Sequence, residues 1–187
     1  KRKNNHKYNL LCHRYFMRSL GWGIITAATI YLASLVLPEN ETPWIAFFII
    51  MLYTLMEIDK RMLLLPDILT VPLLIVGFSY AVFAGGMLGY EPAASAANSA
   101  LGAAAGYVIP VIASLFLIKK YPEAFGGGDI KLLSAVGSWV GLTNIPYVIL
   151  LSCLLFAVSC FINKQRQGAF GPSIVIASLI ILFLSEY

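Results

Sequence analysis

The sequence predicts an all-α protein, a polytopic helical membrane bundle of six to seven transmembrane helices. Three observations predict it. The chain is 59% hydrophobic and only 12% charged, against about 25% charged in soluble domains. Its mean hydropathy is +0.82. Apolar runs of about 17–25 residues, the length a helix needs to cross a bilayer, recur along it. With 187 residues there is room for one compact bundle and none for a large soluble domain beside it.

Taken in order, residues 1–18 form a basic leader, with Lys1, Arg2, Lys3, Lys7, Arg14 and Arg18 and no acidic residue. Beside a hydrophobic segment, such a leader is most simply a cytoplasmic anchor against anionic membrane lipid, and no nucleic-acid partner is expected. Residues 19–187 are then the membrane-embedded domain. The first span is 19–37, closed by an acidic, proline-bracketed turn at 38–43. A shorter second span, 44–58, has Trp44 in the place of an interfacial anchor and ends at the charged break Asp59-Lys60-Arg61. The third, 68–88, tolerates Pro72 in its first turn. The fourth, 93–118, is rich in Ala, Ser and Gly, which predicts close helix–helix contact. The fifth, 130–140, is too short to cross untilted, and is either a thin span shielded by its neighbours or a re-entrant piece. A turn at 141–144, a span at 145–162, a turn at 163–167 and a last span at 168–184 complete seven candidates.

The charges test this topology. With the leader inside, the inner loops hold all 13 Lys and Arg residues, and the outer segments hold only Glu39, Glu41, Glu91 and Glu186. The positive-inside rule is met throughout. The expected arrangement is an odd number of crossings, a cytoplasmic N-terminus, and Asp59 and Asp129 on the same cytoplasmic side.

Cys12, Cys153 and Cys160 form neither a CxxC nor an even framework, and Cys153 and Cys160 read as small core residues. His6 and His13 have no ligand partners nearby in sequence. No disulfide, metal or cofactor is expected.

The chemistry concentrates in two acidic places. One is Gly126-Gly127-Gly128-Asp129, three glycines behind a carboxylate and in front of the apolar Ile130-Lys131-Leu132-Leu133. The other runs from Glu57 through Asp59 to Leu65-Pro66-Asp67. A carboxylate at membrane depth costs about 2.5–3.5 kcal/mol at a helix centre and so points to function. Each has a bland reading: Asp59 as a helix-end charge paired with Lys60 or Arg61, Asp129 as a helix N-cap, Lys131 as a snorkelling lysine. Together, on one membrane face, two aspartates are the minimal equipment of aspartic proteolysis. One acts as base on a water while the other, protonated, polarises the scissile carbonyl. The glycines would let an extended peptide approach Asp129 closely.

These residues resemble a known family. Gly-Gly-Gly-Asp at 126–129 resembles the GxGD signature of intramembrane aspartyl proteases, and GGGDIKLLSAVGSWVG is similar to the type IV prepilin peptidase branch. EIDKRMLLLPDILTVPLL is similar to that family's first aspartate motif, GAFGPSIVIAS to its phenylalanine-glycine-proline element, and the small-residue run at 102–107 also fits. The resemblance runs in order from about Arg14 to the C-terminus. It implies Asp59 and Asp129 as the catalytic pair and Gly126 and Gly128 as the two signature glycines. Gly127, Asp67 and Lys131 then shape the loop and substrate approach. The implied substrates are prepilins of the type IV pilus or pseudopilins of type II secretion, cleaved after a glycine at the cytoplasmic face of the bacterial inner membrane. Many members also carry paired CxxC motifs and methylate the product with S-adenosylmethionine. This sequence has no CxxC and opens where the family continues after that segment, at His13-Arg14-Tyr15-Phe16, which puts N-methyltransferase activity in doubt. The chain is expected to be either a short peptidase-only member or one lacking its upstream part.

Three other classes of protein compete with a prepilin peptidase. A presenilin-like protease is disfavoured by Ile58, where that group has a tyrosine, and by the Leu-Pro-Asp-x-Leu-Thr element. A proton-coupled small transporter would need carboxylates along a path across the bilayer, whereas these crowd one face. An inactive assembly scaffold is separated only by activity.

Overall fold

The computed structural model describes residues 21–35, 39–85, 91–117, 126–164 and 168–184. The basic leader 1–18 lies outside these residues, as do Lys119, Lys120 and Arg166. The described chain is helical, without strands: α1 (Gly21–Leu35), α2 (Thr42–Met62), α3 (Asp67–Ala84), α4 (Pro92–Leu117), α5 (Gly127–Asn163) and α6 (Gly171–Leu184). Four of these, α2 to α5, are long and apolar enough to cross a membrane, and α1 and α6 are shorter apolar helices. A helical membrane bundle is the architecture. The chain divides into two compact units, one ending at Ile49 and the other running from Ile50 to the end.

In the first unit, the hydroxyls of α1 turn onto their own helix. Thr26 and Thr29 donate to the carbonyls of Trp22 and Ile25, each at 2.8 Å. These bonds satisfy hydroxyl groups on an apolar helix.

In the second unit, α2 does not break at Asp59-Lys60-Arg61. The helix continues to Met62, with Lys60 and Arg61 in its last turn, where positive charge complements the macrodipole. Arg61 Nε donates to Glu57 Oε1 one turn back, at 2.7 Å. At 21 residues α2 is therefore long enough to span, at about 1.5 Å per residue. It ends at Leu63, whose φ of 51° is left-handed, a conformation costing a non-glycine residue about 1–2 kcal/mol. The buried positions Leu52, Leu55, Met56 and Asp59 follow the i, i+3, i+4, i+7 stripe of one helical face. Asp59 thus occupies a core position.

Helix α3 begins at Asp67, which puts Pro72 in its second turn, and stops at Ala84 because Gly85 takes φ 81°. Helix α4 matches its expected limits to within one residue. The expected fifth and sixth spans are joined in α5, and the turn placed at 141–144 is reduced to Gly141, with φ 76° and ψ 175°. Asn98 of α4 holds that break, its Oδ1 accepting from the amide of Leu142 at 2.9 Å. Each of residues 132–141 is buried, so the short segment before the break is shielded by its neighbours. Cys153 is exposed and Cys160 half-buried. Both lie on the outward side of α5, so neither is the core residue expected.

Helix α5 is the centre of the unit and packs against α3, α4 and α6. Its contact with α4 is backbone-close. A Cβ on Gly102 would strike the Gly137 carbonyl, and one on Gly106 would strike that of Leu133. Ser99 Oγ donates to the Ser138 carbonyl at 2.7 Å, and Ser134 Oγ to that of Ala103 at 2.9 Å. Rising numbers in α4 meet falling numbers in α5, so the two run antiparallel. The small-residue run therefore makes the close contact its composition predicted.

Against α3 the first part of α5 runs parallel. Ser138 Oγ reaches the Leu74 carbonyl at 3.2 Å and Trp139 Nε1 donates to that of Leu73 at 2.8 Å. The Trp139 ring stacks on Tyr80 at 5.4 Å between centroids. Replacing Trp139 with Phe keeps the ring contact and removes the donor. Thermal unfolding in detergent is expected to show a loss of about 0.5–1.5 kcal/mol.

Candidate active site

Five segments of the second unit meet at one end of its helices: the C-terminal turn of α2, the connection 63–66, and the N-termini of α3, α5 and α6. Asp59, Asp67, Gly126, Gly127, Gly128, Asp129 and Lys131 all line one open cleft of about 450 Å³ there, together with Leu63, Leu64, Leu65 and Pro66. Every residue singled out in the sequence as a site candidate is therefore brought together.

Asp59 is only 5% exposed. Its Oδ2 accepts a hydrogen bond from the Gly171 amide at 2.8 Å. That amide is a free donor because Gly171 opens α6, where the first N–H groups have no partner within the helix. Glycine is required sterically, since a Cβ on Gly171 would lie 2.6 Å from Oδ2 and 3.0 Å from Cγ of Asp59. The phenylalanine-glycine-proline element was visible in the sequence, but nothing there tied Gly171 to Asp59, 112 positions away.

Asp129 is the third residue of α5. The amide of Asp129 donates to the Gly126 carbonyl at 3.0 Å, and its carboxyl turns back to the Gly126 amide, as in the reciprocal part of a capping box. Asp129 and Asp59 lie near enough for their charges to interact. Asp129 is thus inside the helix, with Gly126 in the N-cap position.

The three glycines differ. A Cβ on Gly128 would come within 2.9 Å of Leu65 Cβ, so this glycine lets the connection 63–66 lie directly on α5. A Cβ on Gly126 would sit 3.0 Å from Asp129 Oδ2. One on Gly127 would meet nothing within 4 Å. The G-x-G spacing before Asp129 follows from these contacts.

At the rim, Lys131 Nζ donates to both carboxylate oxygens of Asp67, at 2.7 and 2.8 Å. Lys131 is therefore paired across the two motifs, where a snorkelling lysine was the bland expectation. The side chains are 49% and 61% exposed, so the pair contributes about 1 kcal/mol at most. It ties the start of α3 to the start of α5.

Residues 46–161 match the model of the type IV leader peptidase family. The chain belongs to that family. Among curated relatives, the prepilin leader peptidase/N-methyltransferase of Vibrio cholerae serotype O1 is 30% identical over 181 residues, covering 90% of this chain and 65% of the relative. That of Xanthomonas campestris pv. campestris is 42% identical over 135 residues, covering 67% and 44%. That of Neisseria gonorrhoeae is 30% identical over 139 residues, covering 72% and 46%. The chain thus spans between about half and two thirds of the length of these relatives. No solved structure matches it. For a leader peptidase family member, the match takes in both aspartate motifs, at 59 and 129, and stops short of Gly171.

The glycine contacts predict an ordered series. Gly128→Ala and Gly171→Ala are each expected to lower stability by about 1–3 kcal/mol. Gly127→Ala should stay within about 0.5 kcal/mol of the parent. Reversible unfolding of the purified variants in mixed detergent micelles checks the order.

Proposed function

We propose that this chain is a membrane aspartyl endopeptidase that removes the leader peptide of type IV prepilins or pseudopilins. The observation that carries the reading is that Asp59 and Asp129, two carboxyls 70 positions apart in the chain, line the same open cleft. Family membership and the prepilin peptidase names of its relatives support the substrate class.

In this reading the dyad activates a water held between the two carboxyls. The ionised carboxyl takes a proton from the water as it attacks the scissile carbonyl, and the protonated carboxyl hydrogen-bonds the carbonyl oxygen as charge develops there. The tetrahedral intermediate collapses as the second carboxyl gives its proton to the leaving amine, so the two carboxyls end with their protonation exchanged. Gly171 and Gly126 act by positioning, since each presents a backbone amide to one carboxyl. Asp67 and Lys131 act at the rim on access to the cleft.

Lys60, Arg61 and Lys131 lie at the same end of the helices as the cleft. Under the positive-inside rule that end faces the cytoplasm, which supports cleavage at the cytoplasmic face of the bacterial inner membrane and a cytoplasmic N-terminus. Among the described residues, Asp59, Asp67 and Asp129 gather at one end and form no file along the helices, which speaks against a proton-coupled transporter.

Processing of a prepilin panel in membranes, scored by leader loss on a gel, tests the reading. Asp59→Asn and Asp129→Asn are each expected to reduce cleavage at least about 100-fold while leaving insertion intact. Asp67→Asn should stay within about fivefold, because it removes only an exposed ion pair. Undiminished cleavage by either of the first two variants would remove that residue from the dyad.

A further inference from the structure

The connection between α2 and α3 lines the cleft, and part of its backbone has no hydrogen-bond partner among the described residues. Residues 64–66 belong to no helix, and Pro66 is extended, with φ −73° and ψ 134°. The Leu63 amide donates to the Asp59 carbonyl at 2.9 Å. Beyond it, the amides of Leu64 and Leu65 and the carbonyls of Leu63, Leu64 and Leu65 have no hydrogen bond to any described residue. At an open cleft such groups are available as donors and acceptors to an incoming peptide backbone.

The position of this segment is held from both ends. Leu63 keeps a left-handed φ of 51° although it is not glycine, a conformation that persists only where the surroundings impose it. Leu65 is 7% exposed and seated on Gly128. Between them Leu64 is 59% exposed. Both carboxyls line the same cleft. A peptide bond inside a helix has its carbonyl engaged and its approach to water blocked, so a scissile segment must be unwound before attack. An extended peptide then needs backbone partners, and segment 63–65 offers them beside the dyad.

We propose that residues 63–65 are a docking strand on which the peptide substrate is laid in extended form, its backbone pairing with the free amides and carbonyls of Leu64 and its neighbours. This rests on the endopeptidase reading and deepens it. Recognition here runs through the substrate backbone, so it tolerates varied side chains on either side of the cleavage point. The side chains of Leu63 and Leu64 would then contact the residues flanking that point.

The test uses the full chain in detergent and synthetic leader-containing prepilin peptides. In each, one backbone amide near the scissile bond, never the scissile one, is replaced by an ester that lacks the N–H donor. In at least one position the ester is expected to raise KM about fivefold with kcat little changed, the size of one lost hydrogen bond. Leu65→Pro, which removes a donor from the strand, is expected to raise KM for the unmodified peptide. Because Leu65 is also packed, Leu64→Pro is run beside it, with unfolding temperature as a check. A KM flat to within about twofold across the whole ester series overturns the docking strand while the peptidase reading stands. A wild-type chain that cleaves none of the unmodified peptides overturns both.

Discussion

A carboxyl buried at 5% exposure has to be supplied with hydrogen bonds from its own protein, and the arrangement around Asp59 follows from that requirement. The donor is the Gly171 amide, so the start of α6 must reach the end of α2. The approach is possible only because Gly171 has no Cβ. The same economy appears at Asp129, where the neighbouring glycine at the N-cap offers a backbone amide to the carboxyl. Both acids are therefore oriented by main-chain groups, which hold a carboxyl more rigidly than long polar side chains would.

Helix α5 carries that precision across the unit. Its residues 132–141 are buried, pressed to α4 at Gly102 and Gly106 and pinned to α3 by Trp139 and Ser138. Without a hydrophobic drive between helices in lipid, such contacts depend on close packing and interhelical hydrogen bonds. The break at Gly141 lets this buried part end without carrying the later part of α5 along the same axis. The start of α5, with Asp129, is consequently planted against Leu65 and beside Asp59, while the rim pair of Asp67 and Lys131 adds little energy and a defined edge.

Much of this was legible in residue order. The acids at 59 and 129 stand out as carboxylates beside apolar spans, and the small residues of α4 announce a close helix contact before any partner is known. At two places where expectation and structure differ, the cause is local charge. Asp59-Lys60-Arg61 looks like a helix end, but basic residues are stabilising in a last turn and the helix runs on to Met62. Lys131 and Asp67 look like separate interfacial charges, and only packing of α3 beside α5 shows them to be a pair.

By itself the sequence determined the class of the protein, the approximate place of its helical spans and the candidate acids, because hydropathy, helical period and glycine placement are properties of neighbouring residues. Only the tertiary structure decided which groups meet: Gly171 with Asp59, Leu65 with Gly128, Lys131 with Asp67. Those contacts join positions from 63 to 112 apart, and their geometry is set by how the helices pack, which no local pattern of residues encodes.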